Sequence, residues 1–202
     1  MRYELYYWPE IQGRGEFIRL ALEDAGADYV DVARLPGTRG NAFERILEDA
    51  ADGRTPFALP VLKAGKLVIA QTANILQFLG PRLGLVPKAE AARLWAHQLQ
   101  LTVADLVVDY FERLLETNPA GDRHLVGRSL SYVDLSLFQV IAGLDYAFPR
   151  TMARVRPRHP RLAALHQRVA ERPRIAAYLA SERRISFNEY GIFRRYPELD
   201  GK

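Results

Sequence analysis

The chain of 202 residues contains no cysteine. Disulfide bonds, thiolate metal sites and cysteine nucleophiles are therefore excluded, and any thiol chemistry must use a thiol that the substrate supplies. Disulfide reduction through a reactive cysteine pair is excluded for the same reason. Because structural disulfides belong to oxidising compartments, the lack of cysteine favours a cytoplasmic protein.

Long apolar runs are also missing. No stretch approaches the roughly 18 apolar residues that a membrane-spanning helix needs. The opening MRYELYYWPE carries acidic residues and lacks the apolar core of a secretory signal. The four histidines do not form a metal-binding pattern, since Pro160 separates His159 from His166 and no carboxylate has a suitable spacing. We therefore expect neither a membrane partner nor a metal ion.

Acidic residues are scarce in one arginine-rich stretch, in a chain of net charge +4. Glu171 is the only acid among the arginines of this stretch, which are Arg150, Arg154, Arg156, Arg158, Arg161, Arg168, Arg172 and Arg174. A basic patch can bind nucleic acid, but no aromatic residues are interleaved for base stacking and prolines break the stretch. A solvated surface is the preferred interpretation, without a nucleic-acid partner.

The first eighty residues alternate between strand and helix patterns, which predicts the order βαβαββα. The predicted segments are a strand at 3–8, a helix around 17–25 with Gly26 as its C-cap, a strand at 29–32, a helix at 42–51, a hairpin at 61–70 turning at Gly65, and a helix at 72–83. The first two strands should be parallel and the last two antiparallel. This pattern predicts an α+β fold with a mixed sheet in a domain of residues 1–80.

After a Gly/Pro-rich linker, residues 88–202 show only helical patterns and predict an all-α second domain. Its expected helices cover 89–115, 133–147, 161–171 and 175–181. The start of the 133–147 helix has the clearest local signal, because Ser131 as N-cap and Asp134 at N3 match a variant of the capping box. Leu130 and Leu135 complete it as a hydrophobic staple. The helix is apolar on nearly all sides and should be buried at the centre.

Three positions could carry chemistry. Tyr7 ends the first strand just before a loop and helix, where α/β units bind ligands, although a strand tyrosine commonly serves packing. Pro60 follows Leu59 before a strand and indicates an edge, a turn or a cis bond. Thr72 follows Gln71 at a helix start and is either a simple N-cap or part of a carboxylate site at the helix N-terminus.

Taken together, these motifs resemble the cytosolic glutathione transferases, and within them the tyrosine classes alpha, mu, pi and sigma. The resemblance rests on Tyr7-Trp8-Pro9, on residues 13–20 (GRGEFIRL), on residues 59–62 (LPVL), on residues 71–76 (QTANIL), and on residues 124–127 and 131–135 in the second half. It covers most of the chain. It implies a thioredoxin-like first domain that binds glutathione and a helical second domain.

The resemblance also implies roles for single residues. Tyr7 would donate a hydrogen bond to the sulfur of glutathione, which is the co-substrate, while Trp8 and Arg14 border the site. A cis Pro60 would turn the backbone of Leu59 towards the cysteinyl part of the peptide. The remaining implied glutathione contacts are Gln71 and Thr72 at the γ-glutamyl end and Asp105, which would reach the γ-glutamyl amine of a partner subunit in a homodimer. The second substrate would be a small hydrophobic electrophile.

The sequence departs from that family in two places. No tryptophan lies between Trp8 and Trp95 and no lysine precedes Lys63, so Arg45 or Arg54 would have to bind the glycyl carboxylate. The interval between Gln71 and Leu125 is also short by about one helical hairpin, so either the hairpin is absent or the sequence omits it.

These departures keep other functions open. One alternative is a catalytically silent, transferase-like module for binding or association. Another is a glutathione-dependent isomerase, which would use the same thiolate and regenerate glutathione.

Overall fold

The computed structural model describes residues 2–38, 44, 46, 56–105 and 108–201. The predicted helix at 42–51 lies outside the described residues, apart from the helical residues Glu44 and Ile46. Arg45 and Arg54, the two alternatives for the glycyl carboxylate, lie outside them as well.

A four-stranded mixed sheet is formed by the first part of the chain. Its strands are β1 (Tyr3–Tyr6), β2 (Tyr29–Asp31), β3 (Val61–Ala64) and β4 (Leu67–Ala70), in the spatial order β2-β1-β3-β4. β1 and β2 are parallel, whereas β3 runs antiparallel to β1 and to β4. The predicted mixed sheet is therefore confirmed. β1 stops at Tyr6, so that Tyr7 and Trp8 belong to the following loop.

Two helices, α1 (Gly15–Ala25) and α2 (Thr72–Leu83), pack against this sheet. The shared core consists of apolar residues at helical or strand spacing: Tyr3, Leu5, Ile18, Leu22, Leu62, Ala64, Ile75 and Leu79. Gly26 ends α1 in the left-handed conformation with φ 63°, and its N–H donates to the carbonyl of Glu23. This is the C-cap that the sequence predicts, because glycine adopts positive φ without a Cβ clash.

The second half of the described chain is helical. Its helices are α3 (Glu90–Thr102), α4 (Val108–Thr117), α5 (Tyr132–Ala147), α6 (Pro149–Val155), α7 (Pro160–Ala170) and α8 (Pro173–Leu179). The prediction of one helix at 89–115 is wrong: a 3₁₀ turn, Val103–Asp105, follows α3. The break falls at the β-branched pair Thr102 and Val103, which has low helix propensity.

Prolines begin three of these helices, which explains the remaining errors in the predicted bounds. Pro149, Pro160 and Pro173 each occupy a first helical position, where the missing N–H costs nothing and φ is already suitable. The sequence interpretation treated these prolines as breaks. It therefore missed α6 and started α7 and α8 one or two residues late.

α5 is the buried centre of the helical half, as predicted. Ser131 donates from its N–H and its hydroxyl to Asp134 Oδ2, each at 2.7 Å, and the capping box is present. The N–H of Leu125 donates to Asp134 Oδ1 at 2.9 Å, so the same carboxylate also fixes the preceding loop. No helix that the structure describes is both long and apolar enough to cross a membrane.

Candidate active site

Tyr7 lies immediately after β1, and its hydroxyl is tied to the start of α1. The backbone N–H of Arg14 donates to Tyr7 Oη at 2.9 Å, and the side chain is 7% exposed. Two glycines make this approach possible. A Cβ on Gly13 would lie 2.2 Å from Tyr7 Oη, and a Cβ on Gly15 would lie 2.6 Å from the ring. Any larger residue at either position would displace the ring or the loop.

Tyr6 faces the opposite side of the sheet, as alternation along a strand predicts. It packs in a cluster with Val32, Ala33, Ile46 and Val61, and its hydroxyl donates to Glu4 Oε2 at 2.8 Å. The two adjacent tyrosines therefore have different surroundings.

The start of α2 has an unusual backbone. Gln71 adopts φ 69° and ψ 122°, the only positive φ of a non-glycine residue in the described chain. Thr72 is the first residue of the helix and not its N-cap, so the predicted cap is wrong. Its Oγ1 lies 3.5 Å from the carbonyl oxygen of Arg14. The N–H of Ile75 donates to the Gln71 carbonyl at 2.9 Å.

The other predicted site residues occupy separate places. The Leu59–Pro60 peptide is cis, which confirms that prediction, and it directly precedes β3. Trp8 is 55% exposed, and Arg14 is exposed at the start of α1. Asp105 is exposed in the 3₁₀ turn after α3, so its predicted place on a long helix is wrong.

A cavity of ≈ 430 Å³ brings three of the predicted residues together. Arg14, Gln71 and Thr72 line it, whereas Tyr7, Trp8, Leu59, Pro60 and Asp105 are not among its lining residues. The other lining residues, which sequence reasoning missed, come mainly from α1, α2 and α3: Phe17, Ala73, Asn74, His97, Gln100, Leu101 and Val103. The i,i+3 spacing of His97 and Gln100 along α3 was the available signal.

A buried ionic cluster, which no sequence pattern indicates, contacts the loop that follows Tyr7 through Arg19 Nη1 and the Gln12 carbonyl. Glu16 and Arg19, both 0% exposed, pair at 3.2 Å between Oε2 and Nη1. Arg19 Nε also pairs with Asp31 Oδ2 at 2.7 Å. Burial alone would lower the pKa of Arg19, but the carboxylates of Glu16 and Asp31 raise it above its ordinary value. The guanidinium is therefore fixed in its charged form.

This cluster extends to the other end of the chain. The Tyr178 hydroxyl donates to Glu16 Oε1 at 2.6 Å, and Arg184 pairs with the same oxygen. Burial, and next the negative charge of Glu16, raise the pKa of Tyr178, so its hydroxyl stays protonated as a donor. Arg184 Nη2 also donates to Gln139 Oε1 at 3.0 Å.

The segment after α8, which we call the C-terminal segment (residues 180–201), holds the loop between β1 and α1. Gln12 is 5% exposed; it donates to the Ile185 carbonyl and accepts from Gln139 Nε2 at 2.8 Å. Asn188 Nδ2 donates to the Glu10 carbonyl at 2.7 Å. The Ile185 carbonyl and the Asn188 side chain, both near the end of the chain, thus hold the loop whose last residue, Arg14, donates its N–H to Tyr7.

Several residues of the arginine-rich stretch also have partners that sequence spacing could not reveal. Arg156 pairs with Asp145, and Arg172 pairs with Asp24. His159 has a carboxylate partner as well, since its Nε2 lies 2.7 Å from an oxygen of Asp109. Sequence spacing does not indicate this partner, because the carboxylate comes from another helix, α4.

The fold defines a class: a thioredoxin-like mixed sheet followed by a helical half. The solved Pi-class glutathione S-transferase of Onchocerca volvulus superposes with a TM-score of 0.69 at 26% identity, covering 89% of this chain and 92% of that one. The glutathione S-transferase of Ascaris lumbricoides gives 0.70 at 23% identity, covering 89% and 97%, and supports the fold alone.

Sequence comparison indicates the same class of protein. Residues 86–182 match the family model described as "Glutathione S-transferase, C-terminal domain". The chain is 29% identical to glutathione S-transferase P 1 of Xenopus laevis, over 90% of this chain and 93% of that one. It is 25% identical to a glutathione S-transferase of Plasmodium falciparum (isolate 3D7), over 89% and 95%. The second half of the chain thus matches the C-terminal domain of glutathione S-transferases, and nearly the whole chain is similar to enzymes of that family.

Proposed function

We propose that the protein conjugates the thiolate of glutathione to small hydrophobic electrophiles, and that the Tyr7 hydroxyl stabilises the thiolate. The observation that carries this proposal is the 2.9 Å hydrogen bond from the Arg14 N–H to Tyr7 Oη. Because the phenol oxygen accepts this bond, its own proton remains available to donate to a sulfur anion. The accepted bond also polarises the hydroxyl and makes it a stronger donor.

A donor of this kind addresses the main chemical difficulty of the reaction. A free thiol has a pKa of about 8.5 and is only a few per cent thiolate at neutral pH, although the thiolate is the nucleophile. A hydrogen bond to the anion favours the ionised form, and lowering the pKa by about two units requires about 2.7 kcal/mol. Since the chain has no cysteine, the thiol must come from the bound peptide.

The other residues of the proposed site would bind glutathione along the edge of the sheet. The N-terminus of α2, with Gln71 and Thr72, would bind the γ-glutamyl carboxylate, because unpaired helix N–H groups attract anions. The backbone of Leu59 before cis Pro60 would pair with the cysteinyl part, and Trp8 and Arg14 would border the sulfur. In this proposal residues 1–80 form the glutathione-binding domain, residues 88–202 form the helical domain, and a homodimer brings Asp105 to a second subunit.

One observation favours the alternative of a catalytically silent binding module. The alignment with the Plasmodium falciparum relative is 208 positions long, yet it covers only 89% of this 202-residue chain. Such an alignment contains gaps in this chain, which supports the interpretation that a helical hairpin is missing. In the family this hairpin contributes to the electrophile pocket. A chain without it could bind glutathione and still lack conjugation activity.

Tyr7→Phe, with Tyr6→Phe as the matched control, tests the proposal. We expect the wild type to bind glutathione-agarose and to conjugate glutathione to 1-chloro-2,4-dinitrobenzene. In Tyr7→Phe, ultraviolet titration should show the pKa of the bound thiol raised by about one to two units, with lower turnover at neutral pH. Tyr6→Phe should leave the thiol pKa unchanged, because Tyr6 packs on the other face.

Each contrary result has a distinct meaning. Binding without conjugation in the wild type would favour the silent module. An unchanged thiol pKa in Tyr7→Phe would refute the tyrosine mechanism even if conjugation occurs.

A further inference from the structure

A series of three hydrogen bonds connects the loop after β1 with α5 and the C-terminal segment. Arg184 Nη2 donates to Gln139 Oε1 at 3.0 Å, and Gln139 Nε2 donates to Gln12 Oε1 at 2.8 Å. Gln12 Nε2 in turn donates to the carbonyl of Ile185. The series therefore starts and ends at neighbouring residues of the C-terminal segment, with the two glutamine side chains between them.

The direction of this series is fixed at both ends. A guanidinium can only donate hydrogen bonds, so the oxygen of the Gln139 amide faces Arg184 and its NH₂ group faces Gln12. A backbone carbonyl can only accept, so the NH₂ group of Gln12 faces Ile185. Neither amide can turn over without placing two donors or two acceptors against each other. Gln12 is 5% exposed and Gln139 is 0% exposed, so bulk water does not replace a lost partner.

Gln12 directly precedes the two residues that contact the Tyr7 hydroxyl. A Cβ on Gly13 would lie 2.2 Å from Tyr7 Oη, and the Arg14 N–H donates to that oxygen at 2.9 Å. The backbone carbonyl of Gln12 also accepts the N–H of Glu16, in the first turn of α1, at 3.0 Å. The series thus holds the residue from which Gly13 and Arg14 extend towards Tyr7.

We propose that Gln12 and Gln139 are positioning residues for the conjugation reaction, and that they hold the Arg14 N–H against Tyr7 Oη. Both act through Tyr7, whose hydroxyl is a stronger donor to a sulfur anion while its oxygen accepts this N–H. When the series is broken, the loop is no longer held in place and the hydroxyl donates more weakly. The thiol of bound glutathione then ionises at a higher pH. The inference rests on the proposed function, because it concerns the same tyrosine.

A role in folding alone predicts a different result. Removing a buried amide lowers Tm in either case, because its former partners are left unpaired. A loss of stability by itself, however, leaves the ionisation of the bound thiol unchanged in the molecules that remain folded. The pKa of the bound thiol therefore separates positioning from folding.

The test uses Gln12→Met and Gln139→Met, which remove the amide and keep about the same side-chain length. An accepted hydrogen bond strengthens the next one by about 10–30%, and the proposed lowering of the thiol pKa is about two units. Ultraviolet titration should therefore show the pKa of the bound thiol raised by about 0.2–0.6 units in each variant. With 1-chloro-2,4-dinitrobenzene, kcat/KM should fall by about twofold to fourfold at neutral pH and recover at a pH above the thiol pKa.

Two control variants accompany this test. Ser136→Ala changes a 0% exposed residue of the same helix, and its hydroxyl has no partner among the described residues, so the thiol pKa should stay at the wild-type value. Met152→Ala truncates a buried residue of α6, outside the series, and should lower Tm without raising the thiol pKa. An equal rise of the thiol pKa in Met152→Ala would overturn the inference and leave the proposed function standing.

The double variant Tyr7→Phe/Gln12→Met shows whether the effect passes through the tyrosine. Its thiol pKa should equal that of Tyr7→Phe, because the Arg14 N–H then has no hydroxyl to polarise, and a further rise would overturn the inference. Gln139→Met, alone and combined with Tyr7→Phe, gives the same comparison if Gln12→Met does not fold. An unchanged thiol pKa in the single glutamine variants would also overturn the inference, with the proposed function intact. An unchanged thiol pKa in Tyr7→Phe itself would overturn the tyrosine mechanism together with the inference.

Discussion

Glu16→Gln should destabilise the protein far more than its small change in shape suggests. The Glu16 carboxylate is fully buried and receives the Tyr178 hydroxyl at 2.6 Å, Arg19 at 3.2 Å and Arg184. An amide in its place is uncharged, and its N–H₂ group faces donors. Arg19 keeps the carboxylate of Asp31, but Arg184, whose side chain is only 11% exposed, keeps no carboxylate among its described contacts.

The expected decrease in the free energy of unfolding follows from the charge that is left without a partner. Removing one partner of a buried ion pair costs about 3–5 kcal/mol, because the remaining charge stays desolvated. For a protein of this size each kcal/mol lowers Tm by about 2–4 °C, so the midpoint should fall by on the order of 10 °C. Denaturant unfolding followed by circular dichroism measures the free energy, and calorimetry measures Tm.

Glu116→Gln is the matched control. Its carboxylate pairs with Arg161 at 3.2 Å, but its side chain is 55% exposed, and such surface pairs contribute about 0–1 kcal/mol. If Glu16→Gln lost no more stability than Glu116→Gln, the buried cluster would not support the fold, and the reasoning from burial and contacts would be wrong.

Two other predictions concern the histidine at the start of α7 and a glycine of the active-site loop. Burial alone would lower the pKa of His159, but its hydrogen bonds to a carbonyl and a carboxylate, at 2.9 and 2.7 Å, raise it above 6.5. The stabilisation that the charged His159 provides is fully present below the pKa of the histidine in the unfolded chain. It is lost as pH rises through the higher pKa in the folded protein. His159→Gln should therefore cost up to about 1 kcal/mol more at pH 5.5 than at pH 9 in urea unfolding, and an equal cost at both would contradict the ion pair. Gly13→Ala places a Cβ 2.2 Å from Tyr7 Oη and should reduce both Tm and conjugation, whereas Gly65→Ala, also at positive φ but with open space around it, should reduce Tm alone. Similar conjugation rates in the two variants would show that the close contact has no effect on the reaction.

Local patterns in the sequence were sufficient for most of the fold. Strand and helix periods predicted the sheet, and the Ser131–Asp134 capping box marked the start of α5. These signals are read from residues a few positions apart. Local patterns gave wrong predictions at two places. At Thr102–Val103 apolar residues keep their helical spacing although the backbone changes from an α-helix to a 3₁₀ turn, and at Pro149 the proline begins a helix.

The candidate site was less predictable because much of it depends on contacts between distant residues. Motif resemblance singled out Tyr7 and Gln71, and the structure bore out the cis bond at Pro60. Nothing in the local pattern could pair Gln12 with Ile185 or bring Gln100 to the cavity that Thr72 also lines. These contacts depend on which polar side chains the tertiary fold brings together.

The contacts made by the C-terminal segment have a consequence for biosynthesis. Gln12 and Ile185 are separated by 173 positions, and Glu10 and Asn188 by 178, so the loop after Tyr7 has its full set of bonds only when almost the whole chain has left the ribosome. The four strands can pair earlier, since all of them lie in the first part of the chain, whereas α1 also packs against α5 and α8. During synthesis, the sheet can therefore pair before the loop that contacts Tyr7 has its final hydrogen bonds. We expect the closing of that loop to be among the last steps of folding.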